Sequence, residues 1–555
     1  MSSNSNSKMN SADIIFIGNI ITVDDSNPTV EALAIKNGKI VAIGSQEAVF
    51  QWKGEGTEII DLEDKTLMPG FIEPHSHPIL SALFYDFIDV SGFNNPNGMA
   101  VIKKLREAAT NAKPGEWITA FGYDPILTRD LKALNADFLD DISSTNPVFV
   151  MIQSMHTVYV NHKAFEVANI TNDTPQPGGG GYFVKDKNGN LTGMVVEQSA
   201  IFPFMAAVLQ SSQKDYKKLV KKQLLRYAKA GYTTVGAAGI FPVFPNAMEI
   251  LEELIQQESS PIRMVIMNTS RDIKRIRSME PGSGNDQFRY IGVKFWYDGS
   301  PYTGNMFLDQ PYLNSELMRT GLGIQKETCG ENVISKEKLK RLAGKYHNAG
   351  WQIIIHGQGD RATREIIDIY ESILIKSPRE DHRHRIEHCA LFSEEQIERA
   401  ARFGITPSWH INHIYYYGEA LRDEIIGPDR ANHLMQIATA LKHGHRNSLH
   451  NDSPMYRAEP LKLLRTAVTR KTRKNEIIGA DQTISIEEGI KALTINPAWQ
   501  MFMEDKVGSL EVGKLADLVV LSENPMEINP DRLDQIQVLE TYKGGRALSL
   551  SKFID

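Results

Sequence analysis

A chain of 555 residues, 41% hydrophobic and 23% charged, has the length for a large core with additions and the composition of a soluble globular protein. Its net charge of −7 gives no electrostatic reason to bind nucleic acid or an anionic membrane surface. Two cysteines, Cys329 and Cys389, exclude a disulfide scaffold and a cysteine-based zinc site, so any metal has to be held by histidines and carboxylates.

Residues 1–11 are rich in Ser and Asn and are expected to be disordered, with Met1 or Met9 as the start. The apolar stretch that follows is broken by Gly18 and Asn19 and has no basic leader, so it does not fit a signal peptide. No run of about 18 apolar residues occurs, and a cytoplasmic protein is expected.

Short β-branched runs then fill the first seventy residues, among them EALAIKNGKIVAIG with an Asn37-Gly38 hairpin turn. The last fifty residues have the same texture. Residues 12–68 and 505–555 are therefore expected to meet in one small β-sandwich domain. Between them, over residues 69–504, buried-strand runs alternate with amphipathic helices: YTTVGAAG, RMVIMNTS, IGVKFWYDGS, WQIIIHGQGD, HRIEHCA, GITPSWH and SLHNDSP. The basic residues Lys217, Lys218, Lys221 and Lys222 belong to the wet face of one such helix. The number of units predicts a closed (β/α)₈ TIM-type barrel rather than an open sheet. Residues 92–204 do not fit one β/α unit. They are expected to form an insertion capping the barrel mouth, with hairpin loops at Gly178–Gly181 and Asn188-Gly189.

The strongest local signal is GFIEPHSH, because side chains two apart on a strand point the same way and His75 and His77 can face one ion. His356, His388 and Asp452 each end another buried run, and Lys294 lies inside one. In a barrel such strand ends converge on one mouth. Singly, each also fits a hydrogen-bonded structural residue; as an ordered set they suit a site for Zn²⁺ or a similar ion. Lys294 is costly to bury as an unpaired ammonium. Either it pairs with a carboxylate such as Asp298, or its amine has combined with CO₂ to give an anionic carbamate that bridges two ions.

These motifs resemble the amidohydrolase superfamily, in particular the branch that includes N-substituted formamide deformylase. The resemblance runs over nearly the whole chain through MPGFIEPHSHP, GVKFWYDGS, IIIHGQGDRA, HRIEHC, NDSP and EVGKLADLVVL. It implies one or two divalent ions, with His75 and His77 on the more buried ion and His356 and His388 on the second. It makes Lys294 the carboxylated bridge and Asp452 both ligand and general base. His156 falls where members have a histidine contacting substrate. Two departures stand out: Glu73 where an Asp is usual, and Asn451 before Asp452 where a Ser is usual.

The expected activity is hydrolysis of an amide or formamide-type C–N bond by metal-activated water, with His156 aiding the developing oxyanion. A single-ion deaminase-type site on His75, His77, His356 and Asp452 is the alternative, and a non-catalytic scaffold on the same fold is a third reading. Tyr123, Trp296, Tyr297, Tyr302, Trp409 and Tyr415–Tyr417 are expected near the mouth, where they either suggest a small apolar or aromatic substrate or pack the cap against the barrel. Of these, Tyr123 and Trp296, with His410, are the candidate substrate contacts. A homodimer is the default assembly.

Overall fold

The computed structural model describes residues 11–548, apart from 132–133, 179, 212–214 and 241–242. Residues 1–10, which carry most of the expected disordered segment, lie outside the described residues, as do 549–555 of the returning β-segment and Gly179.

Eight parallel strands form the centre: β1 (Phe71–Ser76), β2 (Tyr232–Ala238), β3 (Arg263–Thr269), β4 (Phe288–Trp296), β5 (Gln352–Gly357), β6 (Arg385–His388), β7 (Thr406–Trp409) and β8 (Ser448–Leu449). Each pairs with its neighbour in chain order, from β8 round to β1. The strands are buried on both faces, which is why they are near-continuous apolar runs such as Ile353, Ile354 and Ile355, all 0% exposed. Short β8 and β1 are joined just past their ends, where the His77 N–H donates to the Ser453 carbonyl at 2.9 Å. The α/β barrel is therefore nearly closed. Helices cover its outside, with amphipathic sequences and local stop and start signals. Glu394–Arg402, for example, begins with a capping box between Ser393 and Gln396.

The two chain ends form one seven-stranded sheet, with Glu58–Pro69 paired to Ile14–Ile21 on one side and Leu518–Leu521 on the other. The edge strand Lys39–Gly44 bonds back to the residues before Leu518: the Ile40 N–H donates to the Lys514 carbonyl at 2.9 Å. The two layers of this sandwich are thus halves of one sheet curled over Phe16, Leu33, Leu67, Leu518 and Tyr542. The hairpin turn is made by Asn37 and Gly38, at φ 50° and 74°, the left-handed pair a tight primed turn requires.

The insertion after β1 carries a six-stranded sheet of its own, from Ile88–Asp89 to Leu191–Val196, followed by the helix Gln198–Ser211. Among the described residues no helix is long and apolar enough to cross a membrane.

Candidate metal centre

β1 delivers His75 at its end and His77 one residue beyond, where the chain turns into the helix Pro78–Phe84. β4 carries Lys294, β5 His356, β6 His388, and the turn after β8 Asp452. Parallel register then sets neighbours side by side: Trp296 against His356, and Gly357 against His388. The backbone is left-handed at His388 (φ 74°) and Asp452 (φ 55°), a conformation costing about 1–3 kcal/mol at a non-glycine residue and kept where surroundings impose it.

The side chains meet. His77 Nε2 lies 3.1 Å and His75 Nε2 3.7 Å from Asp452 Oδ1, and His388 Nδ1 is 3.8 Å from Asp452 Oδ2. Lys294 Nζ is 3.2 Å from His75 Nε2. His75, His77, His356, His388, His410 and Asp452 all line one cavity of about 770 Å³. Lys294 is fully buried beneath it, and among the described residues its amine makes no ion pair. Asp298 is not its partner. That carboxylate accepts the backbone N–H groups of Phe307, Gln358 and Gly359, with His356 Nε2 3.5 Å away. Burial lowers the Lys294 amine to about 8, only partly offset by Glu387 and Asp452, so a neutral, nucleophilic amine is accessible near neutral pH.

Around the candidate ligands lies a buried hydrogen-bonding layer. Glu387 accepts His75 Nδ1, and Arg385 donates to Glu387 from Nε at 2.7 Å. That bond fixes the tautomer and leaves His75 Nε2 with its lone pair toward the cavity. Burial, with Lys294 beside it, lowers His75 to about 4; burial likewise holds His356 and His388 well below the usual histidine range. Ser408 Oγ meets His450 Nδ1 at 2.9 Å, and His450 Nε2 meets His388 Nδ1 at 3.2 Å. Among the described residues, the buried imidazole nitrogens His356 Nε2 and His410 Nδ1 have no hydrogen-bond partner. Neutral imidazoles with orphaned lone pairs around an ionised aspartate fit a divalent cation. Three sets at this site, His75/His77/Asp452, His75/Glu387/His450 and His388/His410/His450, each bring ligand atoms within 4.8 Å of one another. Asp452 stays well below the carboxylate range because His75 and His77 outweigh its burial.

The two departures from the family pattern touch each other. Glu73 Oε2 accepts the Asn451 backbone N–H at 3.0 Å and its Nδ2 at 2.8 Å, and Asn451 Nδ2 also donates to the Tyr232 hydroxyl at 2.6 Å. The longer carboxylate of Glu73 reaches across the barrel seam, and an amide meets it beside Asp452.

The insertion brings His156 to the same cavity, between two left-handed residues, Met155 and Glu197. His156 Nδ1 is 3.0 Å from Glu197 Oε2, and Asn305 holds the other oxygen at 2.7 Å. Burial alone pulls this imidazolium down, but Glu197 more than offsets it and leaves His156 above its ordinary value. Trp296 and His410 also line the cavity, with His410 Nε2 on the Asn451 carbonyl at 3.2 Å. Tyr123 does not line it. Its strand, Ile118–Tyr123, turns the ring into the core of the inserted sheet, 5.7 Å from Tyr159. Trp409 and Tyr297 are likewise interior packing rather than cavity wall, while Tyr302 does line the cavity. Glu387, Arg385, Glu197 and His450 were not singled out from the sequence; the one available signal was that Arg385 and Glu387 alternate on the strand ending in His388.

A nearly closed parallel barrel with a histidine–aspartate cluster at its C-terminal mouth defines a metal-dependent hydrolase type of architecture. The chain belongs to the amidohydrolase family, which it matches over residues 58–548. It is 26% identical over 535 residues to the N-substituted formamide deformylase of Arthrobacter pascens, spanning 96% of this chain and 97% of that one. It is 28% identical over 551 residues to the protein LONG AFTER FAR-RED 3 of Arabidopsis thaliana, spanning 96% and 90%. In structure it resembles a metal-dependent hydrolase from Pyrococcus horikoshii OT3, with a TM-score of 0.73 at 21% identity over 93% of this chain and 99% of that one.

Proposed function

We propose that this protein hydrolyses an amide or formamide-type C–N bond of a small substrate with an apolar or aromatic part. The observation that carries the proposal is the convergence of His75, His77, His356, His388 and Asp452 on one cavity with Lys294 buried beneath it. His75, His77, His356, His388 and Asp452 would hold two divalent ions, most simply Zn²⁺, with Lys294 as a carbamate between them. When bound, such ions supply Lewis acidity that makes water acidic near neutral pH and polarises a carbonyl.

The chain's own groups do the rest. Asp452, ionised and facing the cavity, takes the proton of the attacking water and passes it to the leaving nitrogen. His156, whose protonated form Glu197 favours, donates toward the oxygen that gains charge. Trp296, with Leu80, Phe84, Met151 and Met205 on the cavity wall, takes the apolar part of the substrate and excludes water. The likeness to a formamide deformylase supports an N-formyl or N-acyl substrate. Two free cysteines agree with a cytoplasmic setting.

The second reading places one ion in a deaminase-type site on His75, His77, His356 and Asp452, and rests on the tight convergence of His75, His77 and Asp452. A metal-free scaffold is disfavoured by the retention of the whole ligand set. Screening the metal-loaded protein against N-formyl and N-acyl arylalkylamines tests the proposal: release of free amine is expected. Ammonia release from amino-substituted heterocycles, with every amide left intact, would establish the second reading instead.

A further inference from the structure

Two buried histidines at the barrel mouth take no part in the ligand set given above: His410, one residue past β7, and His450, one residue past β8. With His388, at the end of β6, they bring three ligand atoms within 4.8 Å of one another. His388, His410 and Asp452 line the catalytic cavity, so an ion reaches this set from there.

Hydrogen bonds decide which nitrogen of each ring faces the others. His410 Nε2 donates to the Asn451 carbonyl at 3.2 Å, so Nδ1 carries the lone pair. That lone pair looks toward Asp452 Oδ2, 4.0 Å away and beyond hydrogen-bond reach, and among the described residues it has no partner. A lone pair and a carboxylate oxygen buried face to face repel each other unless a cation lies between them. His450 Nδ1 is held by Ser408 Oγ at 2.9 Å, which leaves Nε2 3.2 Å from His388 Nδ1. His388 Nδ1 is in turn 3.8 Å from Asp452 Oδ2. Nitrogens bound to a tetrahedral zinc ion stand about 3.3 Å apart, so these three imidazoles and one carboxylate oxygen are spaced to close on a single ion.

We propose that His388 Nδ1, His410 Nδ1 and His450 Nε2, with Asp452 Oδ2, form a further site for a divalent ion such as Zn²⁺, filled when the metal is in excess. The ion replaces the proton shared by His450 and His388, and that proton leaves to solvent. His388 then meets an ion at each nitrogen, as an imidazolate. Binding is weaker than at the catalytic ions, whose charge opposes it and whose ligands His388 and Asp452 it shares. The site does not depend on the reaction proposed above. Its consequence rests on that reading: an ion on Asp452 Oδ2 takes up the base, so excess Zn²⁺ inhibits.

The test is equilibrium dialysis of the full-length protein, as purified, against rising Zn²⁺. Uptake of one ion beyond the purified content is expected. His410→Gln and His450→Gln should each weaken that uptake at least about tenfold, the cost of losing even an outer partner of a metal, and keep the ions present at purification. In His77→Ala, which removes a ligand of the catalytic ions and none of this one, the uptake sensitive to His410→Gln should persist. Co²⁺ gives a readout that needs no variant to fold: the last ion bound to the unaltered protein should add the visible absorption of a four-coordinate centre. Turnover should fall as this ion binds, and should stop responding to added Zn²⁺ in His450→Gln. No uptake beyond the purified content, uptake indifferent to both His410→Gln and His450→Gln, or a last Co²⁺ without that absorption would each overturn the site. Uptake that leaves turnover unchanged would overturn the placing of Asp452 Oδ2 on the ion.

Discussion

Asp452 shows how one side chain can hold two duties in this site. Its oxygens lie near His75, His77 and His388, yet they face the cavity where the substrate must sit. Asp452→Asn keeps the shape and most of the metal donors but removes the proton acceptor. Turnover should fall on the order of 10²–10⁴-fold with metal content nearly unchanged, as measured by steady-state rates beside elemental analysis. Lys294 separates the two-ion and one-ion readings. Lys294→Ala should lose activity and one of the ions, and a short carboxylate at millimolar concentration should restore part of both by standing in for the carbamate. A fully active Lys294→Ala would leave the single-ion site. The Glu73–Asn451 contact belongs to the same scale. Burial pushes Glu73 up to about 8, so it is largely protonated at neutral pH and Glu73→Gln should be tolerated. Asn451→Ala should instead weaken metal binding about 10–100-fold, because it frees the turn that aims Asp452. Equal effects of the two variants in a metal-binding titration would refute that difference.

At the scale of elements, the strand ends supply the site and the strand starts supply stability. Below β5 and β6, three buried histidines form a chain with one consistent set of tautomers. The Ile353 N–H donates to His384 Nδ1 at 3.0 Å, His384 Nε2 donates to His347 Nδ1 at 2.9 Å, and His347 Nε2 donates to the Ser377 carbonyl at 2.8 Å. His382 accepts the His384 N–H at 2.9 Å and donates to the Phe403 carbonyl at 2.8 Å. All three are neutral in the fold; burial lowers His382 to about 4 and His384 further below the usual range. Unfolded histidines take up protons near 6.5. The unfolded state therefore binds more protons in the window from about 6.5 down to about 4, and stability falls as pH drops through it. Thermal unfolding at pH 7.5 and pH 5 should show this loss, and His382→Asn, which keeps an acceptor for the His384 N–H, should reduce it. An unchanged slope would remove His382 from the account.

How much of this could be read from sequence also divides by element. The barrel was legible because unbroken runs such as Ile353–Ile355 have no other stable home than a two-sided core, and His75 and His77 because strand alternation sends both one way. What stayed hidden depends on contacts across the barrel or the insertion. The pairing of His75 with Glu387 spans 312 positions, and no local pattern announces it. Tyr123 differs from expectation for a related reason: its place in the chain lies beside the mouth, but its face of the inserted sheet looks inward. The curl of the terminal sheet likewise follows from Glu58–Pro69 being long enough to serve both layers, with a register shift near Asn19.

Across the whole molecule, a buried bidentate pair helps fasten the barrel to the terminal sheet, beside the Thr541 hydroxyl, which donates to the Ala228 carbonyl at 2.8 Å. Arg263, opening β3, donates to both oxygens of Asp517 at 2.7 and 3.0 Å, and Asp517 also accepts the Gly544 N–H at 2.8 Å. Arg263→Met leaves that buried carboxylate without its bidentate partner, and should cost about 3–5 kcal/mol in a denaturant titration. A loss below about 1 kcal/mol would show that this pair adds little to what holds the two parts together. The insertion closes over the other end of the barrel, placing His156 and Glu197 across the mouth from Asp452.

If these strand ends form a metal centre, the purified chain carries ions, and its metal content shows it. Protein purified without chelator or an affinity metal should contain about two ions per chain by elemental analysis, falling toward one in Lys294→Ala. Protein that holds no metal, and regains none on addition of Zn²⁺ or Mn²⁺ while still folded, would show that the strand ends form no metal centre.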